Sequence, residues 1–304
     1  MSATRMRHDL LVHDGEADLA ARMGPFLRAG VEAGETVMAV SGGGARSLLQ
    51  DALGRDREHV TFVDSTDVYS RPEAALAHYD RTLRTIFRTG ARSVRAVGVL
   101  PVCETVAQWQ RWIAYEAIVN RALAHHPAWF VCAYDTRVVP EDVVHGMQRI
   151  HPQIVSGKRC SCRHYEDPAE VVRELTPPPA PLPGLRSLPL AADAPEFRRQ
   201  LVGEMSAAGV GDERARGMLL AASEVYSNAG RHGHGLRATL VGVVDGRFVC
   251  ELSDHGPGID DPLTGYMPPR HGAVGGFGMW VARQSTERME LTTSPDGLTV
   301  RLWT

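Results

Sequence analysis

Lysine is almost missing from this chain. Lys158 is the only one among 33 basic residues. A P-loop needs its lysine inside G-x-x-x-x-G-K-[ST]. Here Arg159 follows Lys158, and Pro152 stands where the first glycine belongs, so that pattern fails. The ordinary protein-kinase fold needs a strand lysine paired with a helix glutamate, and the sequence has none to offer. Schiff-base chemistry would have Lys158 alone to use. Any handling of ATP must take another route.

Other scarcities exclude further classes. No run of 18 apolar residues occurs, so no membrane span is expected. The start, MSATRMRHDLLVHDGEAD, reaches acidic residues too early for a secretory signal. Cysteine is sparse and odd in number: Cys103, Cys132, Cys160, Cys162 and Cys250. The expectation is reduced thiols in a cytoplasmic protein. The formal net charge is −3, without the basic excess that drives phosphate-backbone binding. Direct binding to nucleic acid is therefore not expected.

What is present is a globular composition, 43% apolar and 23% charged over 304 residues, with room for about two domains. The clearest break is TPPPAPLPG at 176–184, whose five prolines favour an extended linker. The expected division is a domain at 1–165, a linker at 166–185 and a domain at 186–304.

In the first half, TVMAV (36–40), VTFV (60–63), VRAVGV (94–99) and WFVCAY (129–134) read as buried strands. Helical patterns separate them. Over 73–89, Leu76, Tyr79, Leu83, Ile86 and Phe87 share one face. Alternation of this kind predicts an α/β domain with a mainly parallel sheet. The second half opens with helical segments at 193–208 and 212–230. Strands follow at 238–244, 248–254, 289–293 and 298–303. Asp245-Gly246 and Asp296-Gly297 predict hairpin turns. This order predicts an α+β sandwich.

Three patterns in the second half carry chemistry. Glu224 and Asn228 lie four residues apart on a helix, so a carboxylate and an amide share a face. The amide oxygen is a hard ligand suited to Mg²⁺, and the carboxylate can serve as a base. Asp254-His-Gly256-Pro-Gly258 follows a strand; such a carboxylate can accept from an exocyclic amine, and the glycines allow close approach. Gly275-Gly276-Phe-Gly278 opens a helical stretch at 278–288, whose backbone N–H groups suit phosphate. The polar stretch 260–274 between them has the composition of a lid.

Together these resemble the ATP-binding fold shared by DNA gyrase, histidine kinases and MutL, the GHKL superfamily with its Bergerat sandwich. Glu224 and Asn228 match its N box, Asp254-x-Gly256-x-Gly258 its G1 box, and Gly276-x-Gly278 its G2 box, over about 186–304. The resemblance implies ATP and Mg²⁺ as cofactors. It makes Glu224 the general base, Asn228 the Mg²⁺ ligand and Asp254 the reader of adenine, with Gly256, Gly258, Gly276 and Gly278 around the nucleotide. Thr299 matches the family's threonine near adenine. No histidine lies on the helix at 193–208, which sets the sequence apart from ordinary histidine kinases. SEVYSNAGRHG and GGFGMWVARQ resemble the anti-sigma-factor serine kinases of bacterial partner switching, the RsbW type. That resemblance implies two partners, a sigma factor and an anti-anti-sigma (STAS-type) protein phosphorylated on serine, and often a homodimer. The alternatives are a non-catalytic ATP-dependent sigma-binding module and an unorthodox sensor histidine kinase.

The first half contains Ser41-Gly-Gly-Gly-Ala-Arg-Ser47 after a strand, a place where an anion can bind. FLRAGVEAGETVMAV (26–40), YEAIVNRAL (115–123), FVCAYD (130–135) and the IHP at 150–152 resemble the MEDS sensory domain, over about 8–155. The resemblance implies sensing of a small, unidentified ligand, with Glu116, Asn120, Cys132, Tyr134 and Asp135 as candidate lining. The sequence departs from the family at GVLPVC (98–103), where a glutamate commonly precedes the proline. The whole arrangement is similar to RsbA-family regulators. Cys160-Ser-Cys162-Arg-His164 has the residue types for zinc or for thiol oxidation, in tighter spacing than structural zinc sites use.

Overall fold

A computed structural model of the chain describes residues 5–100, 102–156, 158–176, 180–267 and 276–304. Internal contacts divide the chain into two compact units that part between Leu175 and Thr176. None of the described helices is long and apolar enough to cross a membrane.

The first unit alternates strand and helix. Its elements are β1 (Arg7–His13), α1 (Glu16–Glu32), β2 (Thr36–Val40), α2 (Gly43–Leu53), β3 (Val60–Val63), the single turn α3 (Ser65–Val68) and α4 (Pro72–Arg88). They continue as β4 (Val94–Val99), α5 (Val106–Ala122), β5 (Ala128–Asp135), α6 (Glu141–Ile150), β6 (Gln153–Ser156), β7 (Lys158–Ser161) and α7 (Pro168–Leu175). The sheet runs β3-β2-β4-β5-β1-β6-β7. Its pairings are parallel except the last, where β7 returns against β6. The four strands expected from the sequence are there.

Of the two further parallel strands, β1 lies inside the sheet between β5 and β6, and its polarity hides it. Asp9 is fully buried within it. Arg159 on β7 grips both carboxylate oxygens, at 2.6 and 3.0 Å, and Trp129 donates to the same group at 2.8 Å. A bidentate guanidinium pair and an indole N–H offset the cost of burying that charge. The residue next to the lone lysine therefore ties an edge strand to the centre of the sheet.

Helix α5 starts at a capping box. Thr105 Oγ1 accepts from the Gln108 N–H at 3.2 Å, and Gln108 Oε1 accepts from the Thr105 N–H at 3.2 Å. The box satisfies two N–H groups at the helix start and fixes its phase. In that phase Glu116 and Asn120, one turn apart, face the sheet.

The second unit holds β8 (Arg186–Ser187), α8 (Ala194–Ala207), α9 (Asp212–His232), β9 (Leu236–Val244), β10 (Arg247–Asp254), α10 (Phe277–Ser285), β11 (Arg288–Ser294) and β12 (Gly297–Trp303). Its strands form one antiparallel sheet, β11-β12-β10-β9-β8. Phe248, Cys250 and Leu252 alternate along β10 toward a core shared with Phe197 of α8 and Val225 of α9. Both residues of the Asp245-Gly246 turn have positive φ, 50° and 74°, the twist that a two-residue hairpin requires. The other hairpin differs from expectation. Ser294 pairs with Gly297, so Pro295 and Asp296 make the turn and Gly297 already belongs to β12.

Candidate functional site

In the second unit, α9 carries Glu224 and Asn228 on one face, and α10 begins opposite them. A Cβ added to Gly278 would lie 2.7 Å from Glu224 Oε2 and 3.1 Å from Asn228 Nδ2. The first turn of α10 thus lies directly on the carboxylate and amide. Gly276 caps that helix in the left-handed conformation, φ 83°, which glycine adopts without strain. Arg231, one turn beyond Asn228, donates to Asn228 Oδ1 at 3.1 Å. Gly275 and the second part of the lid segment, 268–274, lie outside the described residues.

Asp254 ends β10 and is buried. Its Oδ1 accepts from the N–H groups of Gly256, at 2.9 Å, and Leu298, at 3.0 Å. Its Oδ2 faces Gly233, the residue that caps α9, so closely that no side chain fits there. Gly297 is held against the Asp254 carbonyl in the same way. One carboxylate oxygen is therefore consumed in fixing the group, and the other is left to accept from a ligand. Gly258, at φ 82°, packs on Thr293. The Thr293 hydroxyl clamps the loop, accepting from the Ile259 N–H at 2.9 Å and donating to its carbonyl at 3.0 Å.

Thr299 is placed differently. Its hydroxyl shares a 2.9 Å hydrogen bond with Ser253. Strand alternation puts both on the sheet face opposite Leu252 and Val300, which pack on the helices. At this end of β12 the backbone N–H of Leu298, not the side chain of Thr299, meets Asp254. Gly233, Leu298 and Thr293 escaped the sequence reading; only Gly233, a glycine after a helix, left a local signal.

In the first unit, four of the five candidate lining residues converge. Glu116 Oε1 accepts from the Tyr134 hydroxyl at 2.9 Å, and Glu116 Oε2 lies 3.4 Å from Cys132 Sγ. His8 joins them, its Nε2 2.9 Å from Glu116 Oε2 and 3.3 Å from Cys132 Sγ. Asn120 Oδ1 holds the other His8 nitrogen at 3.1 Å. His151, of the IHP motif, places Nε2 3.8 Å from the same carboxylate oxygen. Burial would raise the Glu116 carboxyl, but the His8 hydrogen bond and the neighbouring imidazoles hold it below the usual carboxylate range. Burial and the Glu116 charge push the Cys132 thiol up. Burial, with His8 alongside, holds His151 down at about 3.

Asp135 stands apart from this cluster. It pairs with Arg137 at the end of β5, at 2.7 and 3.0 Å. The serine–glycine loop of 41–47 has a carboxylate for a neighbour, since Glu16 occupies the space over Gly44. An anion there would meet a negative charge. Cys160, Cys162 and His164 do not converge either. Cys160 is exposed on β7, while Cys162 is buried and reaches the Gln148 carbonyl at 3.1 Å.

Comparison with known families agrees with this geometry. Residues 7–152 match the MEDS family, the methanogen/methylotroph, DcmR sensory domain. Residues 189–304 match the histidine kinase-like ATPase domain family. The chain joins a MEDS domain to a histidine kinase-like ATPase domain. No curated protein matches the chain. Among solved structures, the cytoplasmic domain of EssC aligns at 15% identity and a TM-score of 0.29, over 59% of this chain and 35% of that one. So low a score carries no argument.

The ATPase domain implies ATP, typically with Mg²⁺, and its residues fit that pair. Asp254 Oδ2 makes no hydrogen bond to the described residues, as a reader of an amine requires. The missing Cβ at Gly278 lets the start of α10 approach Glu224 and Asn228 closely. From Glu224 to the end of α9, where Gly233 meets Asp254, the helix runs about 12 Å, at about 1.5 Å per residue. Joined to a sensory domain, this is an ATP-binding signalling regulator.

Proposed function

We propose that the chain is an anti-sigma factor with protein serine kinase activity, regulated by its MEDS domain. The observation that carries the reading is the contact between Glu224 and the first turn of α10. A pure nucleotide clamp has no need of a carboxylate at the phosphate end of the groove. Asn228 would hold Mg²⁺ through its amide oxygen. Bound Mg·ATP supplies the phosphoryl group and the positive charge that draws electrons from it. Glu224 would orient the incoming serine hydroxyl and accept its proton. Asp254 would fix the adenine end, and the N–H groups at the start of α10 would offset phosphate charge. The partners on this reading are a sigma factor and an anti-anti-sigma protein of the STAS type.

The test is incubation of the full chain with γ-labelled ATP and its anti-anti-sigma partner. Acid-stable label on a serine of the partner is expected, together with its loss in Glu224→Gln while ATP binding persists. No label on the partner, with sigma binding retained, would establish a non-catalytic binding module instead. Acid-labile label on the chain itself would establish a histidine kinase.

A further inference from the structure

We propose that the MEDS domain holds a divalent transition metal, Zn²⁺ by its donor set, on His8 Nε2, His151 Nε2, Cys132 Sγ and Glu116 Oε2. All four residues are buried, and these atoms lie within 4.8 Å of one another. A tetrahedral zinc with bonds of about 2.0–2.3 Å spaces its ligand atoms about 3.3–3.6 Å apart. The separations of 2.9, 3.3, 3.4 and 3.8 Å bracket that spacing.

The arrangement of protons makes the stronger argument. Asn120 donates through Nδ2 to the Ile150 carbonyl at 2.7 Å, so its oxygen is the atom that faces His8. His8 Nδ1–H therefore donates outward to Asn120. His151 Nδ1–H donates outward to the Met147 carbonyl at 2.7 Å. His151 is thereby set in the tautomer that turns a bare Nε2 inward, while His8 Nε2 also points inward and donates to Glu116 Oε2 at 2.9 Å. The inward-facing groups are then the lone pair of His151 Nε2 and the Glu116 Oε2 that accepts from both His8 Nε2 and the Cys132 thiol. His151 Nε2 is fully buried and has no hydrogen-bond partner among the described residues. An orphaned buried acceptor is costly, and a cation at the centre of the cluster removes the cost.

The outer contacts are those of a metal site. Asn120 and the Met147 carbonyl orient the two histidines, and Tyr134 holds the second carboxylate oxygen of Glu116. Thiolate, carboxylate and two neutral imidazoles balance a dication, so the filled site buries no net charge. On binding, the Cys132 S–H and His8 Nε2–H bonds break, the sulfur–metal and nitrogen–metal bonds form, and the two protons leave to solvent. Imidazole with thiolate is a donor set for zinc rather than magnesium or calcium.

The experiment is a Co²⁺ titration of the full chain after chelator treatment, read by visible and near-ultraviolet absorption, with competition by Zn²⁺. One equivalent should give tetrahedral d–d bands and a thiolate-to-cobalt charge-transfer band, both erased by Zn²⁺. The charge-transfer band should vanish in Cys132→Ser and persist in the double variant Cys160→Ser/Cys162→Ser. Asn120→Ala, which removes only an outer contact, should weaken binding about 10–100-fold. That variant and the wild-type spectrum decide the matter should Cys132→Ser fail to fold. Absence of a charge-transfer band in the wild type, or its loss in the Cys160/Cys162 variant, would overturn the proposal.

Discussion

The Gly278 backbone lies against the Glu224 carboxylate, with 2.7 Å between Oε2 and the position a Cβ would take. This contact joins two segments 54 residues apart and makes the glycine a spacing element for that carboxylate. Gly278→Ala should therefore separate binding from turnover. Alanine is better than glycine inside a helix by about 1 kcal/mol, which offsets part of the clash and keeps the domain folded. The carboxylate must still move aside, and a displacement near 1 Å costs about 10²-fold in rate. The expected result is a melting temperature close to wild type with phosphotransfer reduced by about two orders of magnitude. Unchanged transfer would remove Glu224 from the reaction.

Asp254 predicts a change of specificity. Its Oδ1 is committed to two backbone N–H groups, and asparagine can keep both of those bonds. The substitution Asp254→Asn replaces the other oxygen with a donor. Toward the adenine amine it then presents hydrogen to hydrogen. Calorimetric titration should show ATP affinity lowered about 10–100-fold, or about 1.4–2.8 kcal/mol. Inosine triphosphate, which carries a carbonyl in place of the amine, should lose little or gain. Equal losses for both nucleotides would mean that Asp254 serves the fold and does not read the base.

Much of the second unit was legible because its signals are local. Asp245-Gly246 states its own turn, and the glycines at 256, 258, 276 and 278 stand beside the residues they serve. Thr299 shows the limit. A motif gives a position in sequence, but strand register decides the face, and one residue along β12 changes it. The first unit was legible in class and not in its centre. Buried Asp9 breaks the apolar pattern of β1, and its partners Trp129 and Arg159 lie more than 100 residues away. His8 gives no local signal for the same reason. Its meaning depends on Glu116 and Cys132, which only the parallel sheet brings to it.

Asp135 supplies a pH-dependent test. The Arg137 guanidinium bonds its carboxylate, and although partial burial opposes the effect, the Arg137 N–H adds to it, bringing the group to about 2. A carboxyl depressed on folding stabilises the protein above its unfolded value, and that contribution is lost as pH falls through the folded one. The window runs from about pH 4 down to about pH 2. Arg137 is more than half exposed, with side-chain accessibility of 55%, so screening reduces the contribution. Arg137→Gln should be less stable than wild type by about 1 kcal/mol at pH 5, and the gap should close as pH approaches 2. Denaturant unfolding at several pH values measures it. A gap that does not narrow would show that Arg137 acts through packing alone.

The metal site and the ATP site give a last prediction, resting on both proposals. Glu116 and Asn120 sit on α5, which packs against α7, the last helix of the first unit. On those proposals, a cation that draws Glu116, Cys132 and the two histidines together would shift α5 and with it α7. A sensor that acts on the kinase in this way must have different metal affinities in the two states of the ATPase domain. Zn²⁺ at one equivalent should then change ATP affinity about 5-fold or more, and ATP should change Zn²⁺ affinity by the same factor, since coupling free energy is reciprocal. Asn120→Ala should reduce the effect at limiting Zn²⁺, and Cys160→Ser should not. Equal ATP affinity with and without Zn²⁺, in a chain that binds both, would make the metal a structural component of the MEDS domain and place the sensed signal elsewhere.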